Sequence, residues 1–214
     1  MSALDHVDHL VLAVPDLGEG MDLVARVAGV QPAVGGRHPN WGTCNAILAL
    51  GPGTYLEVIA PDPDAQVPAD QRPGIFSTGG GPRMIGWFAK CPDLTSVHAA
   101  MLASGGQLGD IQSGSRTLPD GRQLRWQLTD PSVMVMDGVF PMLIDWGDSP
   151  HPAVSAPAGC RLVDLQLVHP EAESVMSLLD TAGIASPVQM GPVASISARL
   201  ETPRGVIQLP QAVI

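Results

Sequence analysis

The chain has 214 residues, 45% of them hydrophobic, and a formal net charge of −10 at pH 7. That apolar content is enough for a real core, while the acidity argues against nucleic-acid binding, whose phosphate contacts need Lys and Arg. Cys44, Cys91 and Cys160 stand far apart with no CxxC, which signals neither a disulfide framework nor a structural zinc site, and the absence of a signal pattern or an 18-residue apolar run predicts a cytoplasmic protein without membrane contact.

The opening stretch, His6 to Leu17, sets the pattern for the rest. Leu10, Leu12 and Val14 alternate with His9, Val11 and Ala13, the period of a strand with its leucine face buried. Pro15 stops it and Asp16 is a good helix cap. Leu17, Met21, Val24, Ala25 and Ala28 then share one helical face, and Gly29 ends the helix. Gly35 to Thr43 reads as a loop. Two further strands follow, Cys44 to Leu50 and Thr54 to Ala60. Asn45 lies opposite the apolar row of the first, and Tyr55, Glu57 and Ile59 share a face of the second.

Pro61 to Pro82 reads as a connector. Strand grammar resumes at Met84 to Cys91, and Pro92-Asp93-Leu94 repeats Pro15-Asp16-Leu17. Leu94, Val97, His98, Met101 and Leu102 predict a helix ended by Gly105. Gln107 to Thr129 predicts a hairpin turning at Pro119-Asp120-Gly121, and Val139 to Trp146 a closing strand. After a second linker, Ser149 to Gly159, a third round runs from a strand at Arg161 to His169, through a helix starting at Pro170-Glu171, to a hairpin at Val193 to Leu209. The expected organisation is three βα-plus-hairpin units, residues 1–63, 82–150 and a partial 160–214.

Setting Pro15 against Pro92 and Pro170 aligns His9 with Gly86 and Asp164. For the closing strands, Leu56-Glu57-Val58 aligns with Ile144-Asp145-Trp146 and Ile207-Gln208-Leu209. A slip of one residue would move each of these to the other face. Glu57 is the most telling candidate, because a carboxylate in an apolar strand needs a partner, a metal or a raised pKa. The plainer alternatives are an exposed strand face for Glu57 and a satisfied strand histidine for His9. Asp145 precedes Gly147 and can equally cap a turn. Asn45, Arg37 and His38 are candidate substrate contacts, Arg37 because a guanidinium suits planar anions. Gly79-Gly80-Gly81 lacks a phosphate-loop Lys and a following helix, so no nucleotide cofactor is expected. No nucleophile-elbow motif is present.

The stretch Asp8 to Leu17, the residues Gly35-Gly36-Arg37-His38-Pro39, Gly42-Thr43 and Asn45, the run Tyr55 to Pro61, and Phe140-Pro141 with Ile144-Asp145-Trp146 resemble the vicinal oxygen chelate superfamily, in its glyoxalase-like branch. The resemblance implies an α+β fold in which βαβββ modules pair into a cupped mixed sheet with helices packed outside. It implies metal ligands on the first and last strand of each module: His9 and Glu57 from the first, Asp145 from the second, with Gly86 where a fourth is expected. One imidazole and two carboxylates would suit a divalent ion such as Mn, Fe, Zn or Ni.

The expectation is therefore a metal-dependent enzyme acting on a small oxygen-bearing substrate, with Glu57 or a metal-bound water moving a proton and isomerase, lyase and dioxygenase chemistry all open. The rival is a metal-free binding protein, or a structural module, using the same cup. The third unit is expected to cover the main sheet or to pair with a second copy of the chain as a homodimer.

Overall fold

A computed structural model describes residues 3–67, 81–117, 123–209 and 212–213. The expected hairpin turn at Pro119-Asp120-Gly121 and the Gly79-Gly80 pair lie outside the described residues.

The first unit consists of β1 (Val7–Ala13), α1 (Leu17–Ala28), β2 (Ala33–His38), β3 (Thr43–Gly51) and β4 (Thr54–Pro61). The second consists of β5 (Arg83–Lys90), α2 (Leu94–Ala103), β6 (Ile111–Thr117), β7 (Gln123–Thr129) and β8 (Met142–Asp145). Together they form one eight-stranded sheet in the order β2-β3-β4-β1-β5-β8-β7-β6. The helices start and stop where the sequence signals them. Asp16 accepts a hydrogen bond from the Glu19 amide at 2.9 Å, and Gly29 ends α1 at φ 78°, a left-handed turn that glycine takes without cost.

β1 and β5 meet antiparallel at the middle of the sheet, with Leu10 opposite Trp87, His9 opposite Phe88 and Val11 opposite Gly86. This is the two-fold relation implied by aligning Pro15 with Pro92. The ladder is broken twice. Between Val7 and His9 the register leaves Asp8 unmatched, and between Gly86 and Met84 it leaves Ile85 unmatched. The two bulges are mates under the same two-fold, so Ile85 stands in the second unit where Asp8 stands in the first.

On the convex side, Leu10, Leu12, Leu56, Val58 and Trp87 pack with Val24 of α1 and Met101 of α2. The same core continues into the third unit, which consists of β9 (Arg161–His169), α3 (Ala172–Thr181), β10 (Val188–Met190), β11 (Ser195–Thr202), β12 (Gly205–Gln208) and β13 (Ala212–Val213). Leu165, Leu167, Val175, Ile196 and Ala198 join this core, so the third unit covers the face opposite the cup.

Three sequence expectations are corrected. Gly35 to His38 is an edge strand and not a loop, because β2 pairs with β3 through a register break at Val34 and Gly36. The closing strand of the second unit is shorter than Val139 to Trp146. In the third unit β9 pairs with β10 and β11, while β12 pairs with β11 alone among the described strands, so Asp164 and Gln208 do not face each other as His9 and Glu57 do. Among the described residues no helix is long and apolar enough to cross a membrane.

Candidate functional site

The concave face of the sheet holds a pocket lined by His9, His38, Asn45, Glu57 and a ring of apolar and aromatic side chains. Each polar member is placed by a different strand of the first unit. β1 supplies His9, which is 3% exposed, and clamps its ring between Tyr55 and Phe88 at centroid distances of 4.5 and 4.1 Å, both nearly parallel. Tyr55 comes from β4 and Phe88 from β5, so the imidazole is held by both halves of the sheet.

The ring is also held edge-on. Neighbouring residues of a regular strand point to opposite faces, but the bulge at Asp8 turns its side chain to the cup side. Its Oδ1 lies 2.7 Å from His9 Nδ1, and its other oxygen receives Trp146 Nε1 at 3.1 Å and faces His151 Nε2 at 3.2 Å. Asp8 is fully buried. Burial alone would raise its pKa, but hydrogen bonds from His151 and His9, with their charge, bring the carboxyl down to about 2. An ionised carboxylate only accepts, so His9 donates from Nδ1 and presents Nε2 to the cup.

Nε2 looks across at Glu57, with 3.7 Å between it and Oε2. Glu57 is 7% exposed. Its Oε1 takes a 2.5 Å hydrogen bond from Asn45 Nδ2, while Asn45 Oδ1 accepts the Gly36 amide at 2.8 Å. Those two bonds fix which way the Asn45 amide faces, and the second requires the β2 edge strand. His38, at the end of that strand, places Nε2 4.0 Å from Glu57 Oε1 and Nδ1 3.0 Å from the Thr43 hydroxyl. Thus Oε2 faces one imidazole while Oε1 is bonded to an amide and lies near another.

The structure therefore brings together His9, Glu57, Asn45 and His38 and leaves Arg37 and Asp145 elsewhere. Arg37 points outward, 56% exposed at the side chain, and is bonded to Asp62 at 2.7 and 2.9 Å and to Asp64 at 2.8 Å. Asp145 accepts the Gly147 amide at 2.8 Å, closing a turn beside an outer groove. The strand register gives the reason. Val11 is level with Glu57 across β1 and β4, and the two-fold mate of Val11, Phe88, is level with Met142 across β5 and β8. Met142 therefore occupies the counterpart of the Glu57 position, and Asp145 lies three residues beyond it.

The expected ligand set His9, Glu57 and Asp145 does not fit a resident divalent metal. The second half of the cup offers Ile85, Gly86 and Met142 where the first offers Asp8, His9 and Glu57. Among the described residues no group of three or more His, Cys, Asp or Glu is placed to hold a metal ion.

Sequence reasoning missed Asp8, His151 and the stacking role of Tyr55 and Phe88. Regular alternation assigns Asp8 to the wrong face, and nothing in the residues around it announces the bulge. His151 sits in the Pro- and Ala-rich linker, next to the short 3-10 turn Pro152–Val154, and its only signal is that it is an imidazole among small residues.

Comparison with known proteins agrees with this architecture. Residues 7–183 match a family model described as a glyoxalase-like domain. A hypothetical protein from Staphylococcus aureus superposes with a TM-score of 0.63 at 11% identity, covering 95% of this chain and 85% of that one. Methylmalonyl-CoA epimerase from Mycobacterium tuberculosis gives a TM-score of 0.43 at 18% identity over 67% of this chain and 88% of that one. The Streptomyces coelicolor epimerase in complex with methylmalonyl-CoA gives 0.45 at 18% over 69% and 98%. At 11% identity the first of these similarities concerns the fold alone. No curated protein matches the sequence.

Proposed function

We propose, since this chain belongs to the glyoxalase-like domain family of the vicinal oxygen chelate superfamily, that it is an enzyme that binds a small oxygen-bearing substrate in the cup and moves a proton on it, with Glu57 as the base. The observation that carries this reading is the Glu57 carboxylate itself. It is buried in an apolar pocket, anchored through Oε1 by Asn45, and faces His9 through Oε2.

In this reading Glu57 Oε2 takes a proton from a carbon next to a carbonyl. The C–H electron pair moves into the new C=C bond, and the carbonyl π pair moves onto its oxygen. Returning the proton to the same carbon gives exchange, while returning it to another carbon of a conjugated enolate moves the double bond and completes an isomerisation; either way Glu57 is restored. His9 Nε2, beside Oε2, can take the proton from Glu57 and give it back. Asp8 behind the ring stabilises the imidazolium formed meanwhile and keeps Nε2 directed at Glu57. No step uses a metal, because the donor set does not support one.

The test is hydrogen–deuterium exchange of uncharged ketones and esters in D2O, followed by proton NMR. Wild type should exchange an α-hydrogen faster than buffer, and Glu57→Gln should lose at least a hundredfold. Equal exchange by Glu57→Gln would end the assignment. The wholly apolar second half of the cup favours one rival, a binding protein. Tight binding with no exchange of any bound carbonyl compound would decide for that rival.

A further inference from the structure

We infer that the cup accepts an uncharged, flat carbonyl compound and rejects carboxylates and phosphates of the same shape. This deepens the reading above and rests on it in one respect, the carboxylate of Glu57 facing the ligand.

Three observations carry it. First, none of the described residues lining the pocket is Lys or Arg. The positive charge available there is imidazole, and each imidazole already faces a carboxylate: His9 stands between Asp8 and Glu57, His151 faces Asp8, and His38 lies 4.0 Å from Glu57. Second, the neighbouring guanidinium groups among the described side chains are engaged elsewhere. Arg37 is held by Asp62 and Asp64, and Arg125, in the outer groove, donates to Gln123 at 2.8 and 3.0 Å. Third, the walls are broad and apolar. Trp126 and Trp146 sit 5.2 Å apart at the junction of the cup with the outer groove, with Trp41, Leu128 and Ile144 completing the surface.

An anion entering this space would give up its hydration, find no surplus cation and approach Glu57. A neutral planar molecule pays neither cost. Its ring or enone can lie against the indoles, which favour offset or tilted contacts with other flat π-systems.

Benzoylformamide and benzoylformate test this, since they have nearly the same shape and differ by one charge. Their affinities are measured by calorimetry at pH 7 with the full-length protein. The amide should bind at least tenfold more tightly than the carboxylate. In Glu57→Gln, checked for an unchanged fold by thermal melting, that ratio should shrink at least threefold through better carboxylate binding. Equal or tighter binding of benzoylformate by wild type would overturn the inference, as would failure of the amide to bind. The wild-type ratio stands whether or not the variant folds. A ratio above ten with no exchange in the NMR experiment would leave charge selection intact while removing Glu57 as a base.

Discussion

Asp8 Oδ1 lies 2.7 Å from His9 Nδ1 although the two residues are neighbours in one strand. A regular strand would send them to opposite faces of the sheet. The bulge between Val7 and His9 places a buried carboxylate directly behind the imidazole of the cup, and Trp146 and His151 occupy its second oxygen.

Removing that carboxylate should be costly. Asp8→Ala leaves Trp146 Nε1, His9 Nδ1 and His151 Nε2 facing a cavity, and a buried donor left without an acceptor costs about 1–3 kcal/mol. Urea unfolding should show a loss of at least about 2 kcal/mol. Asp8→Asn should lose less stability but slow proton exchange about tenfold or more, because its amide can pair with His9 without stabilising an imidazolium. An Asp8→Asn variant as active as wild type would show that the imidazole needs no anion behind it.

The same group sets an acid limit. Its hydrogen bonds from His151 and His9 hold the carboxyl down to about 2 in the folded protein, against 3.8 for a free aspartate. Between those values the unfolded chain binds more protons, so stability rises with pH. The contribution is complete above about pH 4, is lost as pH falls towards 2, and amounts to about 2 kcal/mol. Unfolding free energy measured from pH 5 to 2 should fall less steeply in Asp8→Asn than in wild type. Parallel curves would contradict the assignment.

Asn45→Ala and Asp145→Asn separate the cup from the outer groove. Asn45 fixes Glu57 through a short hydrogen bond, so its loss should slow exchange about tenfold or more. Asp145 only closes a turn at Gly147, so Asp145→Asn should leave exchange within twofold and stability within about 1 kcal/mol. Exchange assays on both variants decide it, and a large loss in Asp145→Asn would bring that residue back into the site.

Gly114 tests the aromatic wall. A Cβ there would run into the Trp126 indole. Gly114→Ala should displace Trp126, lower stability by about 1–3 kcal/mol, shift tryptophan fluorescence and weaken benzoylformamide binding. An unchanged emission maximum and affinity would mean that Trp126 does not shape the cup.

The third unit should not be separable. Leu165, Leu167, Ile196 and Ala198 share a core with Leu10 and Trp87, so a chain ending before residue 160 would expose the convex face of the main sheet. Such a truncation should be insoluble or bind a hydrophobic dye strongly. A soluble truncation with a cooperative melt at the wild-type temperature would refute this.

Local chemistry made much of this protein legible without coordinates. The period of two at Leu10, Leu12 and Val14, the caps at Asp16 and Asp93, the stops at Gly29 and Gly105 and the repeated Pro-Asp-Leu all act within a few residues, so they announced the strands and helices themselves. What the chain alone could not decide was register between distant strands. Asp145 matched Glu57 by sequence, yet pairing across β5 and β8 puts Met142 there, because hydrogen-bond register is set by contacts between segments some fifty residues apart. The β2 edge strand formed from glycines because β3 offered it a partner, and only that pairing orients Asn45. The bulge at Asp8 likewise arises where β1 meets β5, and it alone turns a strand residue expected on the far face into the support of the imidazole.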